Sequence, residues 1–89
     1  MVITVKRTRE QARKNWIKAQ KRAEKYGVYS VATKTEEYRK MVEYYRNCPN
    51  GYDVDHTIAL ADGGTHTLAN LRYLTTHENR SLGGQMSKR

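Results

Sequence analysis

Four residues in the second half of the chain combine side-chain types that handle protons and hard cations. Asp55 and His56 are adjacent, Asn70 follows the histidine by fourteen positions, and Asn79 lies nine further on. Histidine has the ordinary pKa nearest working pH, which suits it to exchange a proton. Carboxylate and amide oxygens are the donors that hard divalent cations take. Each residue also has a plainer use when read singly: Asp55 as a turn or capping carboxylate, His56 as a half-buried hydrogen-bonded histidine, Asn70 and Asn79 as loop and helix-boundary residues. The joint spacing is what sets them apart. A zinc site from Cys48, His56, His66 and His77 is a further arrangement, but those spacings fit no zinc pattern.

The elements that must position these residues follow from periodicity and turn chemistry. Ala12, Trp16, Ala19, Ala23 and Tyr26 recur three or four apart and predict a helix from about Thr8 to Tyr26, stopped at Gly27. Around that stripe lie Arg13, Lys14, Lys18, Lys21, Arg22 and Lys25. A second helix is predicted from about Lys34 to Asn47, with Thr33 and Glu36 at capping-box spacing and Tyr38, Met41, Val42 and Tyr45 as its apolar face. Pro49 and Asn50-Gly51 end it.

Tyr52 to Leu60 reads as a strand, Gly63-Gly64 as a turn, and Asn70 to Leu74 as a second short strand. His66, in the intervening loop, is expected to face solvent. Thr75 with Glu78 caps a last helix carrying His77, Asn79 and Arg80, which Gly83-Gly84 ends before a polar, basic tail from Gln85 to Arg89. Neighbours on a regular strand point to opposite faces, so Asp55 and His56 can serve one site only at a bend, a bulge or a strand end.

Val54-Asp55-His56-Thr57-Ile58-Ala59-Leu60, Gly63-Gly64 and Asn70-Leu71, followed by a helix bearing Asn79, resemble the HNH nucleases. That family's ββα-metal unit typically reads V-D-H-x-x-P-L-x-x-G-G-x-x-x-x-x-N-L, followed by a helix with His or Asn. The resemblance covers roughly the C-terminal third and is carried by several positions at fixed spacing.

It implies a ββα-metal motif over 51–84, the catalytic part, and says little about residues 1–47. With the two helices that periodicity predicts, the expected whole is one α+β domain, residues 1–50 helical and basic and 85–89 a basic tail. The resemblance further implies hydrolysis of DNA phosphodiesters to 5′-phosphate and 3′-hydroxyl ends. His56 is then the general base, Asn70 a positioning residue for the His56 backbone and ring, and Asp55 and Asn79 the ligands of Mg²⁺, with Mn²⁺ or Ni²⁺ as substitutes. His77 is an auxiliary ligand or phosphate contact of second rank. The chain departs from the pattern in having Ala59 where many members have proline. It also lacks their Cys-x-x-Cys pairs, Thr76 and Asn79 standing where the second pair would fall, so no structural zinc is expected.

Composition points the same way. The formal net charge is +8 on 89 residues, and such a balance suits a polyanionic partner, because Lys and Arg that neutralise phosphates release condensed counterions. Arg72, Arg80, Lys88, Arg13, Lys14, Lys18, Lys21 and Arg22 are the expected DNA contacts. Cys48 is the only cysteine, which excludes a disulfide within the chain. Neither a membrane-spanning run nor a signal-peptide core is present in the sequence, and the expected location is the cytoplasm, a bacterial host's if the gene is phage-borne, as small free-standing HNH proteins often are.

One ββα unit cuts one strand, so nicking is expected of a monomer and double-strand cleavage of a homodimer. Two other readings remain: a non-catalytic nucleic-acid-binding module that retains the HNH fold, and an interaction protein whose basic face docks on an acidic partner.

Overall fold

The computed structural model describes residues 7–79. The first helix, α1 (Arg9–Tyr26), starts at a reciprocal cap: Gln11 N–H donates to Thr8 Oγ1 and Thr8 N–H donates to Gln11 Oε1, both at 3.1 Å. It stops at Gly27, whose φ of +68° lets the N–H turn back to the carbonyls of Ala23 and Glu24. The stripe Ala12, Trp16, Ala19 and Ala23 is buried as the periodicity requires. Tyr26, counted in that stripe from spacing alone, is instead about half exposed.

The second helix, α2 (Glu36–Arg46), begins later than expected and with a different cap. Lys34 has φ +68°, a left-handed conformation that no helix can incorporate. Thr35, not Thr33, therefore caps: its Oγ1 accepts from Tyr38 N–H at 3.1 Å and donates to Ala32 O at 2.8 Å. Of the expected apolar face, Met41, Val42 and Tyr45 are buried and Tyr38 is half-buried against the core.

Strands β1 (Tyr52–His56) and β2 (Leu71–Thr75) form an antiparallel pair with Asp53 opposite Leu74, Asp55 opposite Arg72 and His56 opposite Leu71. The first strand was expected to run to Leu60 and the second to start at Asn70. Instead β1 ends at His56, because Asn70 is the last residue of a short 3₁₀ turn (Leu68–Asn70) and meets Ile58 with its side chain rather than as a strand partner. A second 3₁₀ turn covers Leu60–Asp62. Helix α3 occupies 76–79 of the described residues, with Thr75 Oγ1 accepting from Glu78 N–H at 3.1 Å as the capping spacing predicts. Gly83-Gly84 and the tail lie outside the described residues, as do Arg80 and Lys88.

Ala12, Trp16, Val31, Met41, Val42, Tyr45 and Leu71 make one core, joining α1, α2 and β2. Trp16 is fully buried at its centre, with its indole N–H 3.3 Å from Met41 Sδ and its ring edge-on to Tyr38. Truncating such a residue typically costs about 3–5 kcal/mol. The sheet is tied to α2 by stacked Tyr44 and Tyr73 rings, and by Tyr73 Oη donating to Tyr44 O at 2.6 Å. The result is an α+β arrangement with the helices packed on a two-stranded sheet. No helix among the described residues is long and apolar enough to cross a membrane.

Candidate active site

Asp55 and His56 come from the last two positions of β1, and Asn79 from α3. Together with Val54, Ala59, Leu60, Ala61 and, from α1, Arg22 and Tyr26, they line one cleft of about 260 Å³. Consecutive strand residues can share a cleft only where it wraps a strand end or free edge. Here both conditions are met: β1 ends at His56, and it pairs with no strand other than β2 among the described residues.

Asp55 Oδ2 accepts from Arg72 Nε at 3.0 Å, directly across the sheet. Among the described residues its other oxygen has no hydrogen-bond partner. Asn79 Nδ2 donates to Asp53 Oδ2 at 3.3 Å. A carboxylate only accepts, so this bond assigns the amide nitrogen to Asp53 and leaves Asn79 Oδ1 as an oxygen donor for a ligand. Asp53 in turn lies 3.9 Å from Arg7.

The loop after His56 is held by Asn70. Its Oδ1 accepts from Ile58 N–H at 2.9 Å, and its Nδ2 donates to Ile58 O at 3.0 Å and Thr65 O at 2.8 Å. The buried amide thus replaces the strand partner that Ile58 would otherwise require. Thr57 N–H also donates to Asn70 O at 2.7 Å. Gly63 and Gly64 close the loop for different reasons. Gly63 has φ +93°, and a Cβ on Gly64 would fall 1.9 Å from Ile58 O.

Asn70 was expected to orient both the His56 backbone and its ring, but its side chain holds the backbone only beyond the histidine, at Ile58. The ring is held by His66: His56 Nε2 is 3.0 Å from His66 Nδ1, and His66 Nε2 is 3.1 Å from Trp16 O. His66 was expected in solvent and is fully buried, its ring centroid 4.8 Å from that of Trp16. Sequence periodicity offers no signal for a loop residue that a distant helix covers. Burial, the Arg22 guanidinium and, in the opposite sense, Asp55 act on His56, and the net effect lowers its pKa. Burial first, then His56, push His66 down to about 4, against a smaller upward pull from the Trp16 carbonyl. Both imidazoles are therefore neutral at working pH.

A second cleft of about 480 Å³ adjoins the first, sharing Arg22, Val54 and Asn79. It adds Arg7, Asn15 and Lys18. Of the expected DNA contacts, Lys18 and Arg22 line these clefts, whereas Arg13 and Lys21 are exposed elsewhere and Lys14 pairs with Glu10 at 3.4 Å. Arg72 is engaged with Asp55. His77 is exposed and lines neither cleft. Arg7, Asp53 and His66 were missed from the sequence: the first two sit among local residues of no distinctive pattern, though Asp53-x-Asp55 alternation does place both carboxylates on one strand face. Among the described residues no three His, Cys, Asp or Glu side chains converge as a metal group.

Comparison with protein-family models, with curated proteins and with solved structures gave no match to this chain.

Proposed function

We propose that the chain is a divalent-metal-dependent DNA endonuclease of the HNH type, with residues 52–79 as its ββα-metal unit, and that it nicks phosphodiester bonds. The observation that carries this reading is the shared cleft of Asp55, His56, Asn79 and Arg22, drawn from three separate elements. Asp55 and Asn79 would hold the metal, each having one oxygen without a protein partner among the described residues. The donor set is all oxygen, which suits Mg²⁺. When bound, such an ion supplies Lewis-acid neutralisation of charge at the phosphate and the departing 3′-oxygen.

The chain's own groups do the rest. His56 is neutral and takes the proton of the attacking water. Arg22 puts a guanidinium at the same cleft, where it binds a non-bridging phosphate oxygen. Lys18 and Arg7 extend positive charge into the adjoining cleft, a path for the phosphates flanking the scissile one. Asn70 and the glycine pair keep the loop after His56 in one shape.

The binding-only reading draws on one observation, the Arg72–Asp55 ion pair, which already occupies one oxygen of the proposed ligand. Supercoiled plasmid separates the two. Nicking in Mg²⁺, abolished by chelator and by His56→Ala, supports the nuclease. A wild-type protein that leaves plasmid as intact as His56→Ala does in Mg²⁺, Mn²⁺ and Ni²⁺ refutes it.

A further inference from the structure

The two histidines and the Trp16 carbonyl form a chain of hydrogen bonds with only one direction. A carbonyl oxygen accepts and never donates, so the proton in the His66 Nε2···Trp16 O contact belongs to His66 Nε2. A neutral imidazole with a proton on Nε2 has a bare, accepting Nδ1. The 3.0 Å contact to His56 then requires His56 Nε2 to carry the donor hydrogen, and a neutral His56 is left with Nδ1 as its one basic atom.

His66 is well fixed for such a task. It is fully buried, its N–H donates to Tyr29 O at 2.9 Å, and its carbonyl accepts from Val31 N–H at 3.1 Å. The segment between α1 and α2 thus clamps its backbone while α1 terminates its side-chain bonds. Neutrality is consistent with its surroundings, since burial, His56 and Arg22 all act against a charge on this ring.

We infer that His66 is a positioning residue that locks His56 in its Nε2–H tautomer and thereby assigns Nδ1 as the proton-accepting atom. The use of that atom in catalysis rests on the nuclease reading; the tautomer does not. Asn70, in contrast, shapes the loop through hydrogen bonds to Ile58 and Thr65, and among the described residues it makes none to either ring.

The test is long-range ¹H–¹⁵N correlation of the histidine side chains in the intact chain at neutral pH, with nicking kinetics on the same samples. Wild type should show His56 protonated at Nε2 and bare at Nδ1. His66→Phe, which keeps the ring's bulk but accepts nothing, should release His56 into mixed tautomers. It should also lower kcat on the order of 10- to 100-fold at unchanged KM, a part of what a general base contributes. His66→Asn puts an amide oxygen near the former Nδ1, and should restore both the tautomer and most of the rate. His66→Gln, whose amide lies nearer the former Nε2, should restore neither.

A wild-type His56 protonated at Nδ1 overturns the inference whatever the nicking assay gives. So does a folded His66→Phe with wild-type tautomer and kcat. An Nε2–H ring in a protein that does not nick leaves the inference supported and overturns the nuclease reading alone.

Discussion

The Asn70 amide pairs with both the N–H and the C=O of Ile58, standing in for a peptide group of a neighbouring strand at the point where the sheet stops. Removing it strands two backbone groups of Ile58 and loses the bond to Thr65 O. At roughly 1 kcal/mol for each hydrogen bond, more where a buried group is left unpaired, Asn70→Ala should lower stability on the order of 3 kcal/mol. Asn70→Asp should do no better, because a carboxylate cannot donate to the carbonyls of Ile58 and Thr65. Urea unfolding reads both, and wild-type midpoints for either variant would refute the role.

The adjacent glycines should separate by mechanism. Gly63→Ala places a side chain at φ +93° with open space around it, a conformational cost of about 1–2 kcal/mol. Gly64→Ala drives its Cβ into Ile58 O and must displace the loop. The second variant should therefore lose more stability and, on the nuclease reading, nearly all nicking. Thermal melts with equal losses at the two positions would contradict the account.

Arg72 was read from the sequence as a phosphate contact, yet it neutralises Asp55. The pair is partly exposed and worth less than about 1 kcal/mol, so Arg72→Gln should barely change the melting temperature. By freeing Asp55 Oδ2 it should tighten binding of Mn²⁺ severalfold, measured by calorimetry. Weaker metal binding in that variant would remove Asp55 from the proposed ligand set.

Position along α1 should decide which basic residues matter. Arg22 lines both clefts whereas Lys21, its neighbour, is exposed and lines neither. Arg22→Ala should slow nicking on the order of 100-fold, the scale of losing one donor to a developing charge. Lys21→Ala should change only salt-sensitive binding, and by a small factor. Equal losses in rate would place the substrate elsewhere.

His66 makes stability depend on pH. Its pKa falls from an ordinary 6.5 unfolded to about 4 folded, so the unfolded chain binds more protons between those values. The stabilisation is complete above about pH 6.5 and is lost as pH falls toward 4, amounting to about 3 kcal/mol. Urea midpoints should decline through that interval, and His66→Asn should flatten the decline. A wild-type midpoint unchanged across it would contradict burial of a neutral ring.

What could be read from the sequence is what local chemistry determines. The α1 stripe, its Gly27 stop, the Thr75 cap and the two strand segments each depend on residues within a few positions of one another. The second helix shows the limit: Thr33-x-x-Glu36 is the better capping box on paper, but a left-handed Lys34 hands the cap to Thr35. Asp55, His56 and Asn79 were identified by spacing, and one cleft contains them. Their partners were not legible, since Arg72, Asp53 and His66 reach them across the fold. A loop histidine carries no mark that a tryptophan fifty residues earlier will cover it.

The short parallel bridge between Ser30 and His66 has a consequence for how this unit can be reused. Residues 52–79 look like a cassette, but their loop is docked on the connection between the first two helices, their key buried ring ends on Trp16, and β2 is stapled to α2 through Tyr44 and Tyr73. Transplanted alone into another scaffold, the segment would bring its chemistry-bearing residues without the surfaces that orient them. Any working graft has to carry α1 and α2 along, so the smallest portable piece is the whole described fold.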